Sequence, residues 1–244
     1  MSEKVRLVHW EDGGVYGDWA TMWPAFAQAY DELVPPRPPA SEPGLRYELL
    51  FCLLGGHGIT YEMNRSATAV VAELDVFSER HDADALWEDL VGALSAPRFD
   101  PPRKDGSPRR YRFPRRKATL IVAARAWVLG AGSLTDRLAA CAHEHDRRAW
   151  LMSCPGLGPK SASWVLRNTG WAHDLAILDI HVLRAMAEEG VIGEPRLTAD
   201  YEAVERKFLD WCRVLDAAPA VFDLFLWEWQ RGNLRPATAA AAAL

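Results

Sequence analysis

Lys160 and Asp179 are the two residues whose types and spacing best suit covalent chemistry. Lys160 lies on the first turn of a predicted helix, directly after a Gly-x-Gly turn, and Asp179 opens the next predicted helix nineteen positions later. A neutral lysine amine attacks electrophilic carbon and forms Schiff bases. A nearby carboxylate stabilises positive charge that develops during such a reaction. The pair therefore indicates lysine-based covalent catalysis.

Each residue also has a simpler interpretation. An exposed lysine is common in a first helical turn, and aspartate is a good N-cap residue. Lys160 must be neutral to attack, whereas a free lysine has a pKa of about 10.4. Burial would lower that pKa and a nearby Asp179 would raise it, so the spacing alone leaves both outcomes open. Asp179 is expected to act as cap, as catalyst, or as both.

The turn before Lys160 has the composition of an anion-binding hairpin. It reads Pro155-Gly156-Leu157-Gly158, followed by Pro159. The glycines allow a sharp turn and a close approach to the backbone, and proline suits the first helical position. The N–H groups of Gly156, Gly158 and the helix start are predicted to point outward together, which suits a phosphate. Taken alone, the fragment also fits an ordinary helix connection.

Charge is distributed very unevenly along the 244 residues, whose formal net charge is -5. Residues 1–97 carry -10, residues 98–125 carry +8, and the remainder carries -3. A short basic segment on an otherwise acidic chain is typical of a phosphate-contacting surface. The alternative is a solvated loop.

Composition excludes several classes. The length fits one large domain or two small ones. No apolar run is long enough to cross a membrane and no signal-peptide pattern opens the chain, so we expect a cytoplasmic protein. The four cysteines are scattered and indicate neither a disulfide framework nor close metal-binding pairs.

Apolar residues recur at helical spacing throughout, which predicts an all-α fold. Beyond a short candidate strand at residues 5–10, no strand pattern is evident. The four prolines and the glycine of residues 98–114 predict a loop. The predicted helices are residues 19–33, 45–54, 60–74, 83–95, 115–129, 133–142, 146–152, 159–168, 179–188, 199–213 and 219–231.

The segments at 152–170 and 175–184 resemble those of the helix-hairpin-helix DNA glycosylases. The likeness is to the small prokaryotic 8-oxoguanine DNA glycosylase/AP lyases in particular. Residues 48–54, 111–125 and 222–227 are also similar to that family. The likeness covers roughly residues 45–231. It excludes the first forty residues, and the Gly-Gly-His-Gly loop departs from the family's usual pattern.

The resemblance implies two helical subdomains flanking a DNA-binding cleft. It divides the chain into an extension with the first helix (1–40), a glycosylase domain (41–231, with the hairpin at 150–170) and a flexible tail (232–244). The implied activity is bifunctional: excision of 8-oxoguanine or a related oxidised purine through a Lys160 Schiff base assisted by Asp179, followed by strand cleavage. The implied partner is double-stranded DNA with a damaged base, bound by a monomer that associates with the nucleoid.

The resemblance also assigns binding roles. Backbone carbonyls of Met152, Cys154 and Leu157 would hold a monovalent or divalent cation at the hairpin. No other cofactor is expected, and no iron–sulfur cluster, because the cysteines cannot supply one. The predicted DNA-binding residues are Gly156, Leu157, Gly158, His57, Arg112, Arg115, Arg116 and Lys117.

Two further expectations concern the damaged base. His57 or Ile59, in the loop at 55–60, would fill the gap left by a flipped base. Asp223 and Trp227 share a helix face and would form the base pocket, with Trp227 stacking on a guanine-type ring and Asp223 accepting its N–H groups. The alternatives are an exposed turn residue for His57 and an ordinary core helix for Asp223 and Trp227.

Two other functions remain open at this level. The chain could be a glycosylase for another modified base. It could also be a non-catalytic DNA-binding protein that uses the hairpin only to grip phosphates.

Overall fold

The structure is a computed structural model that describes residues 19–33, 38–56, 58–196, 200–232 and 234. These residues form helices and no strand, which confirms the all-α prediction, and no helix among them is long and apolar enough to span a bilayer. The helices are α1 Trp19–Leu33, α2 Glu42–Leu54, α3 Tyr61–Ala72, α4 Ala83–Ser95, α5 Pro114–Ala131, α6 Leu134–Ala139, α7 Glu144–Leu151, α8 Pro159–Asn168, α9 Ile180–Glu188, α10 Tyr201–Val214 and α11 Pro219–Gln230. The candidate strand at 5–10 lies outside the described residues.

Most predicted helices start and end within three residues of their positions in the structure. The largest shifts, of three residues, are at the start of α2, which begins at Glu42 rather than at residue 45, and at the end of α6, which ends at Ala139 rather than at residue 142. Pro43 lies in the first turn of α2, where proline is well tolerated because its missing N–H would have no partner. α5, α8 and α11 likewise begin with a proline.

The chain divides into two compact units that differ from the predicted division at residue 40. One unit, here the lysine unit, comprises residues 39–171 and contains α2 to α8. The other, here the aspartate unit, combines residues 1–38 with residues 172–244 and contains α1 and α9 to α11. The first helix is therefore part of a unit completed by the C-terminal helices.

α2 is the central helix of the lysine unit. It packs against α3, α5, α6 and α8. Because most of its circumference is apolar, it must be surrounded by other helices. α2 thus sets the position of α8, which carries Lys160. Its buried side chains are Leu45, Leu49, Leu50, Phe51, Leu53 and Leu54.

The basic segment is a loop, as predicted, and folds back on itself. Phe99 and Arg109 form an isolated antiparallel bridge. Phe99 and Tyr111 are buried against each other, with ring centroids 6.2 Å apart, and the Tyr111 hydroxyl donates a hydrogen bond to the Leu54 carbonyl. These two rings anchor the segment in the core while most of its arginines remain exposed.

The core of the aspartate unit joins the two ends of the chain. Trp23 of α1 packs edge-on against Phe222 and Phe225 of α11, at centroid distances of 4.9 and 5.5 Å. Met22 and Phe26 are buried in the same cluster. Buried aromatic pairs contribute about 0.5–1.5 kcal/mol each beyond their burial. α1 is therefore a structural element of this unit.

Candidate functional site

The glycine turn connects α7 to α8 and needs glycine at one of its two positions. Gly156 has a φ of +93°, and a Cβ there would lie 2.9 Å from Leu53 Cδ2. Both the conformation and the lack of space exclude a side chain. Gly158 has an ordinary φ of -103°, and a Cβ there would meet no atom within 4 Å. Its surroundings are open, as a site for an approaching ligand requires.

Backbone N–H groups at the start of α8 are available to an anion. Gly158 is the N-cap and contributes no capping side chain. Among the described residues, the N–H groups of Gly156, Gly158, Lys160 and Ser161 have no acceptor. A helix start with unsatisfied N–H groups favours negative charge. The Leu157 side chain is buried, so only its backbone could contact DNA.

The carbonyl groups of the turn fit the oxygen ligands that a hard cation prefers. The Cys154 carbonyl accepts one hydrogen bond, from the Leu157 N–H at 3.1 Å. The Met152 and Leu157 carbonyls accept none from the described residues. In the same residues, no cluster of three His, Cys, Asp or Glu side chains could bind a metal, and Cys52, Cys141, Cys154 and Cys212 are free thiols.

Lys160 begins a stripe of functional side chains along α8. Its Nζ lies 5.6 Å from the centre of the Trp164 ring, and the amine is partly buried. Asn168, one further turn along, donates a 2.7 Å hydrogen bond to Glu48 of α2. Positions four apart share one helix face, so Lys160, Trp164 and Asn168 all face α2. The sequence interpretation missed Glu48 and Trp164. The sequence does show that Glu48 lies four positions before Cys52 and that Trp164 lies four positions after Lys160, so each pair shares a helix face.

The electrostatics of this stripe link Lys160 to α2. Burial raises the pKa of Glu48 despite the hydrogen bond from Asn168, which lowers it. Burial and the Glu48 charge raise the pKa of the Cys52 thiol, while the Lys160 charge lowers it. Cys52 is therefore a neutral thiol beside an amine and a carboxyl group. Lys160 thus lies among polar side chains where α8 packs against α2.

Asp179 is the N-cap of α9, as one interpretation predicted. Its Oδ1 accepts hydrogen bonds from the His181 and Val182 N–H groups at 2.8 and 2.9 Å. The residue is buried, with 7% of its surface exposed. Oδ2 accepts no hydrogen bond from the described residues. One carboxylate oxygen therefore positions the helix while the other remains available for chemistry.

A buried polar clamp holds the segment before Asp179. The Ala176 N–H donates to Glu205 Oε1 at 3.0 Å, and the Ile177 N–H donates to Asp223 Oδ2 at 3.2 Å. The Tyr201 hydroxyl donates to the Ala176 carbonyl and accepts from the Leu178 N–H. Because buried backbone groups must be paired, these side chains determine the path of the chain into α9. The sequence interpretation missed Glu205 and Tyr201, whose roles depend on contacts distant in sequence.

The predicted base pocket residues have structural contacts within the aspartate unit. Asp223 is 5% exposed and belongs to the clamp. Trp227 is partly exposed. The His181 ring packs edge-on against the Trp227 ring at a centroid distance of 6.4 Å, and the Arg231 guanidinium lies 4.2 Å from the centre of the Trp227 ring. A role in base recognition stays a prediction for both residues.

The predicted DNA-binding cations have different environments. Arg112, Arg115 and Arg116 are exposed, and Arg115 lies over the Trp87 ring at 5.5 Å. Lys117 instead donates to the Leu53 and Gly55 carbonyls at the end of α2. Burial and the Arg116 charge lower the pKa of Lys117 to about 8. Lys117 therefore supports the loop that follows α2, while His57 in that loop lies outside the described residues.

The structure gathers Lys160, the turn glycines and the basic residues in the lysine unit. Asp179, Asp223 and Trp227 belong to the aspartate unit. Each unit thus contributes one member of the predicted catalytic pair.

Comparison with known proteins finds one family and several relatives that this chain resembles. The model of a family described as 8-oxoguanine DNA glycosylase matches residues 107–217. The 8-oxoguanine DNA glycosylase/AP lyase of Metallosphaera sedula is 33% identical over 127 residues, covering 51% of this chain and 60% of that protein. The Thermotoga maritima protein of the same name is 35% identical over 127 residues, covering 51% and 59%. The chain thus spans about 60% of the length of these curated relatives.

Solved structures extend the likeness over most of the chain. The 8-oxoguanine DNA glycosylase of Thermotoga maritima superposes with a TM-score of 0.60 at 27% identity, covering 88% of this chain and 89% of that one. The Methanocaldococcus jannaschii 8-oxoguanine glycosylase/lyase, solved with a 15-mer DNA containing 8-oxoguanine, gives a TM-score of 0.61 at 26% identity, covering 79% and 83%. Together with the lysine on the glycine hairpin and the capping aspartate, these matches show that the chain has the helix-hairpin-helix glycosylase fold and is similar to the 8-oxoguanine DNA glycosylases.

Proposed function

We propose that this protein is a DNA glycosylase and AP lyase that excises 8-oxoguanine, or a related oxidised purine, from double-stranded DNA. The observation that carries the proposal is the position of Lys160, on the first turn of α8 directly after an open glycine turn. Lys160 thereby follows directly on backbone N–H groups suited to a phosphate. The names of the relatives support the same activity and lesion.

In the proposed reaction, the Lys160 amine attacks the anomeric carbon of the damaged nucleotide. A bond forms between the lysine Nζ and C1′ of the sugar as the glycosidic bond breaks. The base leaves with the electrons of that bond and takes up a proton. Opening of the sugar ring gives a protonated Schiff base, which acidifies the C2′–H bond. Loss of that proton expels the 3′ phosphate oxygen and cuts the strand. Hydrolysis of the imine then returns the free amine.

Asp179 is proposed to stabilise the positive charge that builds on the sugar as the base departs. Its Oδ1 is used by the start of α9, so Oδ2 is the oxygen assigned to this role. A fixed carboxylate is effective because it need not reorient during the reaction. The proposal requires Lys160 and Asp179 to act on the same sugar.

The hairpin is proposed to hold a DNA phosphate near the reacting nucleotide. The N–H groups of Gly156 and Gly158 would donate to its oxygens. A monovalent or divalent cation at the carbonyls of Met152, Cys154 and Leu157 would add positive charge beside that phosphate. Such contacts position the strand without reading its sequence.

Borohydride trapping tests the covalent step. A duplex with one 8-oxoguanine is incubated with the protein, and free base, strand cleavage and trapped complex are measured separately. The wild type should release base, cut the strand and become trapped, while Lys160→Gln should lose trapping by about 100-fold or more. Lys207→Gln, an exposed lysine on α10, is the matched control and should behave as wild type.

The outcomes of this experiment distinguish the proposed activity from a non-catalytic DNA-binding protein and from a glycosylase for another modified base. Binding to the duplex without base release or trapping would contradict the proposal and favour a non-catalytic DNA-binding protein. Duplexes carrying other modified bases, tested in parallel, would redirect the proposed lesion if one of them is released faster than 8-oxoguanine. Trapping that persists in Lys160→Gln would assign the nucleophile to another amine.

A further inference from the structure

The lysine unit contains a second cationic feature besides the glycine turn. A cavity of about 480 Å³ lies between the start of α3 and the basic segment. Its volume is within the range of ligand pockets, roughly 300–1,000 Å³. Five of its lining side chains are cationic: Arg103, Lys104, Arg109, Arg110 and Arg112.

None of these five cations forms a salt bridge in the described part of the chain. Arg109 Nε is buried and has no hydrogen-bond acceptor among the same residues. Asp105, an acidic residue of the segment, accepts hydrogen bonds from the Ser107 N–H and hydroxyl, and its charge also interacts with that of Arg103. Five cations without salt bridges create a local positive potential that attracts anions, even on a protein of net charge -5.

The start of α3 adds to the positive potential of the cavity. Thr60 is the N-cap of this twelve-residue helix, and its hydroxyl accepts from the Met63 N–H at 3.2 Å. Both residues line the cavity. The N-terminal end of a helix carries partial positive charge that favours anions. Glu62, the acidic residue of the first turn, is not part of the lining.

Arg112 is held in place at the edge of the cavity. A Cβ added at Gly58 would overlap its guanidinium, so glycine allows this close packing. The guanidinium also lies 4.9 Å from the centre of the Phe113 ring. A cation fixed in this way loses less conformational freedom when it binds a ligand.

We propose that this cavity binds the sugar–phosphate backbone of a DNA strand, through contacts that do not depend on the damaged base. Guanidinium groups match phosphate oxygens in charge and geometry. The volume exceeds the needs of a single phosphate, which favours a stretch of backbone over a free anion. The inference rests on the proposed function for the identity of DNA as the substrate.

The salt dependence of DNA binding tests this inference. Binding of the full chain to a lesion-free duplex is measured by fluorescence anisotropy between 50 and 300 mM salt. Each phosphate contact contributes about 0.9 to the slope of log K against log salt. Arg109→Ala and Arg110→Ala should each weaken binding and reduce that slope by about 1. Arg98→Ala, in the same segment but outside the cavity lining, should leave the slope unchanged.

The controls separate binding of the DNA backbone from a diffuse positive field and from binding of free phosphate. A slope unchanged in both cavity variants, or reduced equally by Arg98→Ala, would overturn the proposal in favour of the diffuse field. Inorganic phosphate at matched ionic strength is the second arm. If it raises the melting temperature of the wild type but DNA slopes do not change in the variants, the cavity binds free phosphate and the proposal fails. Unchanged melting temperatures of the two variants without ligand exclude misfolding.

Failure of this inference is distinguishable from failure of the proposed function. Borohydride trapping is measured on the lesion duplex at low salt with saturating protein. Normal trapping together with unchanged salt slopes rejects only the cavity. Absent trapping in the wild type rejects the catalytic proposal, whatever the slopes.

Discussion

The polar groups described for the lysine unit and for the aspartate unit differ in whether they have hydrogen-bond or salt-bridge partners. In the lysine unit, N–H groups of the glycine turn have no acceptor and five cations around a cavity form no salt bridge among the described residues. In the aspartate unit, Glu205, Asp223 and Tyr201 all bond to one backbone segment. Unsatisfied groups at a surface are suited to bind a ligand, whereas satisfied buried groups stabilise a conformation. Under the proposed function, the lysine unit binds DNA and the aspartate unit rigidly supports one carboxylate.

Removing the charge of Asp179 should have the largest effect on base release. It tests whether the carboxylate that the aspartate unit supports takes part in the reaction. In Asp179→Asn the amide oxygen can still accept from the N–H groups of α9, so the fold should persist. Loss of the negative charge should slow base release by about 10²–10³. Single-turnover excision from the 8-oxoguanine duplex measures this.

Asp200→Asn is the matched control, because Asp200 caps α10 through the Ala203 N–H in the same manner. It should leave excision unchanged. Equal losses in the two variants would mean that Asp179 acts only as a cap, and the contrast between the units would lose its functional meaning.

Breaking the clamp should have a smaller effect than removing the charge of Asp179, and it should first lower the free energy of unfolding. Tyr201→Phe removes the hydroxyl that serves both the Ala176 carbonyl and the Leu178 N–H. Leaving buried backbone groups unpaired should cost about 1–3 kcal/mol in the free energy of unfolding, measured by urea denaturation. Tyr47→Phe, at a tyrosine that is 45% exposed, should cost little. A stable Tyr201→Phe protein would show that the clamp does not constrain the segment before Asp179.

The two glycines of the turn sharpen the comparison within the lysine unit. Gly156→Ala should destabilise the fold by about 1–2 kcal/mol, because its positive φ and the contact with Leu53 disfavour a side chain. Gly158→Ala should fold normally but bind DNA more weakly, since the new methyl group would occupy the approach to the N–H groups. Thermal unfolding and duplex binding are measured on both variants, and each measurement should change mainly in one of them. Similar changes in both would indicate that the turn is only a helix connection.

Much of the local structure was predictable from the sequence. The apolar spacing in residues 19–33 and 83–95 predicted α1 and α4 with the bounds found in the structure. Gly156 and Asp179 were also predictable in their local roles, because a positive φ and an N-cap each depend on a few neighbouring residues. Lys117 was not: its charge suggested a phosphate contact, but its amine caps α2 from 64 positions away.

The amino-acid sequence by itself determined the helices, the open glycine turn, the lysine that follows it and the concentration of positive charge between residues 98 and 125. These features depend on backbone preference, side-chain spacing and charge, all of which are local. Only the tertiary structure decided that α1 belongs with α11, that Asp223 supports the path to Asp179, and that Arg109 and Arg110 line one cavity. Each of these depends on which helix faces pack together, and packing joins residues that are far apart in the chain.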